Sequence, residues 1–186
     1  MWCRNCKHET NQKICELCGS KTDDSVPVEV YWCNSCNIPL IKTVNDINKT
    51  ICPICKGNTK YMCSDMRAVF PEERLLVEIM LDKPLAFINS SVWANNNRYY
   101  IDGKSVSITS KHYKRYTPDE MINALEKYKP QNNYEAFNKY SSLFVLANKP
   151  RIEYLIDEAH EFIKLEAAKF PIENIVISFS GGKDST

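Results

Sequence analysis

Cys3-Arg4-Asn5-Cys6 and Cys15-Glu16-Leu17-Cys18, then Cys33-Asn34-Ser35-Cys36 and Cys52-Pro53-Ile54-Cys55, put eight of the chain's nine cysteines in its first 55 residues. The first two pairs are separated by eight residues and the last two by fifteen. Zinc takes four tetrahedral ligands with sulfur at about 2.3 Å, and a tight Cys-x-x-Cys turn presents two thiolates to one metal. Taken in sequence order, the cysteines predict two zinc ribbons, over residues 1–20 and 31–58. Cys3, Cys6, Cys15 and Cys18 would hold one ion, and Cys33, Cys36, Cys52 and Cys55 the other. Gly19, Pro53 and Gly57 supply turn chemistry beside the pairs.

Disulfides and an iron–sulfur cluster are the rivals. The start of the chain has no apolar signal core, and no apolar run nears the 18 or so residues of a membrane span. A reducing, cytoplasmic setting is therefore expected, where tandem Cys-x-x-Cys pairs favour metal. Cys63 reads as a free thiol rather than a ninth ligand, and His8 as a solvated loop histidine. Residues 1–58 are too poor in apolar side chains for a core, so metal binding would supply the folding energy. A docking surface for RNA or a protein partner is the other use of such ribbons.

The whole chain has 186 residues, 44% hydrophobic and 25% charged, with 24 Lys/Arg against 23 Asp/Glu and a formal net charge of +1. That balance disfavours both a strongly basic nucleic-acid binder and an acidic tail protein. Residues 1–64 carry eight Lys/Arg and six Asp/Glu. Eight zinc-bound thiolates with two dications would turn that stretch slightly negative, so any phosphate-binding surface there would be local.

Residues 65–130 read as a small α+β unit. Pro71-Glu72-Glu73 opens a helix running to about Leu81, with Leu75, Leu76, Ile79 and Met80 on one face. Leu85-Ala86-Phe87-Ile88 reads as a short strand and Asn95-Asn96-Asn97 as a loop. Arg98-Tyr99-Tyr100-Ile101 pairs with 104–108 across Asp102-Gly103, a strong hairpin signal. Lys111-His112-Tyr113-Lys114-Arg115-Tyr116 reads as an edge strand guarded by lysines; the same residues would suit an RNA contact. Thr117-Pro118-Asp119-Glu120 is a capping box opening a helix that ends before Pro130. Residues 131–171 form a helical segment: one helix over 134–147, then the longest, after Pro150, with Ile152, Leu155, Ile156, Ala159, Phe162, Ile163 and Ala167 as a core-packing stripe.

Ile175-Val176-Ile177-Ser178-Phe179 has the continuous apolar pattern of a strand buried in a parallel sheet. It leads into Ser180-Gly181-Gly182-Lys183-Asp184-Ser185. A strand, glycine turn and helix start offer backbone N–H groups to an anion. Gly181 and Gly182 permit close approach, Ser180 and Ser185 add hydroxyls and Lys183 adds charge. Asp184 would hold a magnesium ion or cap the following helix. The spacing is not that of a Walker A loop.

This stretch resembles the Ser-Gly-Gly-x-Asp-Ser signature of the PP-loop ATP pyrophosphatase superfamily, and Ser-Phe-Ser-Gly-Gly-Lys-Asp-Ser-Thr looks most like its phosphoadenosine phosphosulfate (PAPS) reductase branch. The run from Met66 to Leu76 and the Asn97-to-Gly103 hairpin are similar to PAPS-reductase-like proteins with N-terminal zinc ribbons. The expected fold class overall is α+β: two ribbons, a small α+β unit and a helical linker. By the resemblance, residues 172–186 would be the first strand and loop of an adenine nucleotide alpha hydrolase-like α/β domain. The resemblance also implies that Ser180, Gly181, Gly182, Lys183, Asp184 and Ser185 hold ATP or a PAPS-type nucleotide, with magnesium. The catalytic residues, and the choice between reduction and adenylation, are then expected beyond Thr186. Two alternatives stand beside it: a tRNA-thiolating PP-loop enzyme, and a non-catalytic zinc-ribbon interaction protein.

Overall fold

Each cysteine pair interrupts a short antiparallel pairing. The computed structural model describes residues 1–24, 26–44 and 46–176. These form nine short strands and five α-helices, a mixed α+β arrangement that divides into two units, Met1–Asn148 and Lys149–Thr186.

In the first unit β1 (Trp2–Cys3) pairs with β2 (His8–Glu9). β3 (Val28–Cys33) lies between β4 (Ile38–Thr43) and β5 (Thr59–Cys63), all antiparallel. A second meander follows in the order β6 (Arg67–Ala68), β7 (Val92–Asn95), β8 (Arg98–Ile101) and β9 (Lys104–Ser107), with α1 (Pro71–Met80) inserted after β6. The hairpin of β8 and β9 turns at Asp102 (φ +48°) and Gly103 (φ +76°), as the Asp-Gly signal predicts.

Side-chain alternation makes this meander the middle layer. Ala94 and Tyr99 are cross-strand partners, as are Trp93 and Tyr100. Ala94 and Tyr99 join Val69, Val77, Met80 and Ile108 in one apolar cluster, which includes the buried side of α1. Trp93 and Tyr100, one residue out of phase, pack with Trp32 of β3 and with Phe144. Phe144 belongs to α4 (Glu135–Ala147), which follows α2 (Ser110–Tyr113) and α3 (Pro118–Tyr128). The second ribbon and α4 thus cover one face of the sheet and α1 the other.

Three local expectations are corrected. Residues 85–88 are turns, not a strand: the buried Glu78 carboxylate accepts the N–H groups of Leu85 (2.9 Å) and Phe87 (2.8 Å), and Leu85 is left-handed at φ +63°. A carboxylate with no exposure thus takes the donors that a sheet would have used. Residues 111–116 are not an edge strand. Ser110–Tyr113 is one helical turn, with His112 Nδ1 accepting the Thr109 N–H at 3.0 Å. Arg115 and Tyr116 then both bond the Asp82 carboxylate.

The third correction concerns α5 (Lys149–Ala167) in the second unit. None of its residues is buried, and Leu155, Ile156, Phe162 and Ile163 are exposed. The described residues of this unit are one helix and a 3₁₀ turn at Ile172–Asn174, so they provide no second apolar layer for the stripe. Ile175 and Val176 carry no strand pairing. The remainder of the expected strand, and Ser180 to Ser185, lie outside the described residues. Among the described residues no helix is long and apolar enough to cross a membrane.

Candidate metal centres

The eight paired cysteines gather into two groups, Cys3/Cys6/Cys15/Cys18 and Cys33/Cys36/Cys52/Cys55, each with its four sulfurs within 4.8 Å of one another. Neighbouring Sγ atoms lie 3.6 Å (Cys3–Cys18) and 3.9 Å (Cys6–Cys15) apart in the first. In the second they lie 3.4 Å (Cys33–Cys55) and 3.8 Å (Cys36–Cys52) apart. A tetrahedron of sulfurs about 2.3 Å from a zinc ion has edges of about 3.8 Å. The donor set and its spacing both fit zinc, and no cysteine of the chain is disulfide-bonded.

One backbone device builds all four turns. The residue after the second cysteine donates its N–H to the carbonyl of the first: Lys7 to Cys3 (2.7 Å), Gly19 to Cys15 (2.8 Å), Asn37 to Cys33 (2.8 Å) and Lys56 to Cys52 (3.0 Å). Each of these residues is left-handed, at φ +55°, +69°, +58° and +60° respectively. Gly19, and less strongly Asn37, advertise that conformation by residue type, whereas Lys7 and Lys56 do not. Backbone N–H groups of Cys6 and Cys36 also point at the sulfurs of Cys3 and Cys33, each at 3.4 Å.

The two ribbons repeat one plan. The first pair of each forms a hairpin loop, with Cys3 opposite His8 and Cys33 opposite Ile38. The second pair is clamped by Cys15 N–H to Ser20 carbonyl (2.8 Å) and Cys52 N–H to Gly57 carbonyl (2.9 Å). Isolated bridges Ile14–Lys21 and Ile51–Asn58 lie just outside.

The thiols are unequal acids. Hydrogen bonds from the Ser20 and Asn5 side chains draw Cys18 down to about 5, and the Gly57 N–H draws Cys55 down to about 7. Cys6 is pushed up to about 12 by its contact with Cys18, and burial raises Cys15, Cys33 and Cys36.

Two residues outside the ligand sets differ in their outcomes. Cys63 is in neither group; its thiol donates to the Asp65 carbonyl at 3.0 Å, in keeping with a free thiol. His8, expected as a solvated loop residue, opens β2 and is half-buried, with Nε2 3.7 Å from Glu16 Oε1. Its ring nitrogens are covered because the ribbon folds Cys15 and Glu16 against them. Comparison of the chain with family models, curated proteins and solved structures returns no match.

Proposed function

We propose that this chain holds two zinc ions and carries the phosphate-binding segment of a PP-loop enzyme, resembling PAPS reductases, that acts on an adenine nucleotide or sulfonucleotide. The metal half is supported by two four-sulfur groups at tetrahedral spacing. The enzyme half is carried by one observation, the apolar run 175–179 leading directly into Ser180-Gly181-Gly182-Lys183-Asp184-Ser185. In that role Gly181 and Gly182 bring backbone N–H groups to phosphate oxygens, Lys183 neutralises charge, and the two serines donate hydroxyl hydrogen bonds. The zinc ions are structural, because four sulfur ligands close the coordination sphere and leave no position for substrate.

The test is a magnesium-dependent titration of the natural protein with ATP and with PAPS, wild type against Gly182→Trp. Binding that the substitution abolishes is expected. No binding by either protein, with two zincs present, overturns the enzyme reading in favour of a second one, a zinc-ribbon interaction protein. One observation favours that second reading: each ribbon exposes aliphatic side chains at matching knuckle positions, Ile14 and Leu17 in one, Ile51 and Ile54 in the other.

A further inference from the structure

We propose that the two metal sites have different jobs. The Cys33/Cys36/Cys52/Cys55 site locks its ribbon onto the α+β body, whereas the Cys3/Cys6/Cys15/Cys18 site holds only its own lobe. The inference rests on the zinc reading above and assigns each ion a separate role.

The first ribbon closes on itself. Trp2 and Asp23 exchange backbone hydrogen bonds at 2.8 Å, and Arg4 pairs with the Asp23 carboxylate. Thr22 donates to the Gln12 carbonyl and Thr10 to Glu16. Among the described residues these bonds stay within 1–24, and none of the three apolar clusters contains a side chain from that stretch.

Three attachments of the second ribbon begin at or beside a ligand. Asn37, the left-handed residue after Cys36, donates from Nδ2 to Asp102 Oδ1 at 2.6 Å, and the same oxygen accepts the Ser91 N–H at 2.9 Å. Trp32, the residue before Cys33, lies so close to Gly103 that a Cβ there would stand 2.5 Å from its Nε1. Cys33 and Cys52 themselves pack with Ile38, Leu40 and Ala147 in a buried cluster. Asn148, at the end of α4, completes the joint: its Oδ1 accepts the Ile41 N–H (2.6 Å) and its Nδ2 donates to the Pro39 (3.2 Å) and Phe144 (2.9 Å) carbonyls.

The consequence is a graded response to metal loss. Freeing the first site releases turns that nothing else depends on. Freeing the second releases the Cys33–Cys36 turn, closed by the Asn37 N–H on the Cys33 carbonyl, that holds the Asn37 side chain against Asp102. Asp102 Oδ1 then loses one of its two donors, and the cluster around Cys33 and Cys52 loses the metal that holds it together. Cooperative units of this kind appear as contiguous blocks of hydrogen exchange.

The experiment is hydrogen exchange mapped along the full chain, with zinc quantified on the same samples, for wild type, Cys18→Ser and Cys55→Ser. Both substituted cysteines are exposed and occupy equivalent positions. Each variant should fall from two zincs to one. Cys18→Ser should accelerate exchange within residues 1–24 alone, and Cys55→Ser should accelerate it across β3–β5, β7–β9 and the end of α4. Acceleration beyond residue 24 in Cys18→Ser, or unchanged β7–β9 in Cys55→Ser, overturns the proposal. Asn37→Ala gives a reading that does not depend on losing metal: it should keep both zincs and still accelerate exchange at Ser91, and unchanged exchange there counts against the joint. A wild type without zinc overturns the metal reading itself, which the zinc count distinguishes from a wrong exchange pattern at two zincs.

Discussion

Gly103 and Gly19 are both left-handed, yet they answer different demands. At Gly103 a methyl group would meet the Trp32 ring at 2.5 Å as well as the φ of +76°, whereas around Gly19 nothing lies within 4 Å of the same position. Gly103→Ala should therefore cost at least the about 1–3 kcal/mol of an overpacked core site. Gly19→Ala should cost only the about 1 kcal/mol of a strained φ. Chemical denaturation of both variants checks the order; an equal loss would mean that the Trp32 contact carries no weight. The reverse change tests the knuckle geometry. Lys56→Gly relieves a φ of +60° and should raise stability by about 0.5 kcal/mol, with the zinc content unchanged.

At the scale of elements, α3 opens on a complete capping box: Glu120 N–H to Thr117 Oγ1 at 3.3 Å, and Thr117 N–H back to Glu120 Oε2 at 2.8 Å. Thr117→Ala should destabilise by about 1 kcal/mol. Hydrogen bonds from the Thr117 N–H and hydroxyl hold the Glu120 carboxyl below its ordinary 4.5. A depressed acid stabilises the fold above its unfolded value and ceases to do so as pH falls through its folded value. The carboxylate's share of the cap should thus be full well above pH 4.5 and fade as pH falls below it, whereas the bond from the Glu120 N–H to Thr117 Oγ1 does not titrate; a Thr117→Ala difference that does not shrink at all between pH 7 and pH 3 would contradict it.

The loop after α1 depends on a different device. Glu78 and Arg74 are buried one turn apart, with Glu78 Oε1 3.5 Å from Arg74 Nε, and Arg74 also donates to the Ile88 carbonyl and to Asn132. Replacing Glu78 with Leu strands a buried guanidinium and two backbone donors, and should cost about 3–5 kcal/mol. This loop was also the least legible part of the sequence. The period of Leu75, Ile79 and Met80 announces α1, and Asp102-Gly103 announces its hairpin, because each signal is local. Glu78 sits on the buried side of α1, but nothing in its residue type says that its partners lie seven and nine residues on. The apolar run 85–88 reads as a strand only while that carboxylate is left out.

For the whole molecule, the spacing of the cysteines made both metal groups readable, since each knuckle is closed within five residues. What spacing could not convey is that one ribbon stands alone and the other is part of the core. That difference resides in Asn37, Trp32 and Asn148, whose partners are 65, 71 and 107 residues away in sequence. The α5 stripe shows the converse: helical periodicity located the helix correctly and said nothing about what covers it. Whether the eight paired cysteines hold two zinc ions is tested most directly by X-ray absorption with metal quantification on the purified protein. Two zincs per chain, each with four sulfurs at about 2.3 Å, is the predicted result. Iron in place of zinc, fewer than four sulfurs per metal, or cysteines paired as disulfides would contradict it.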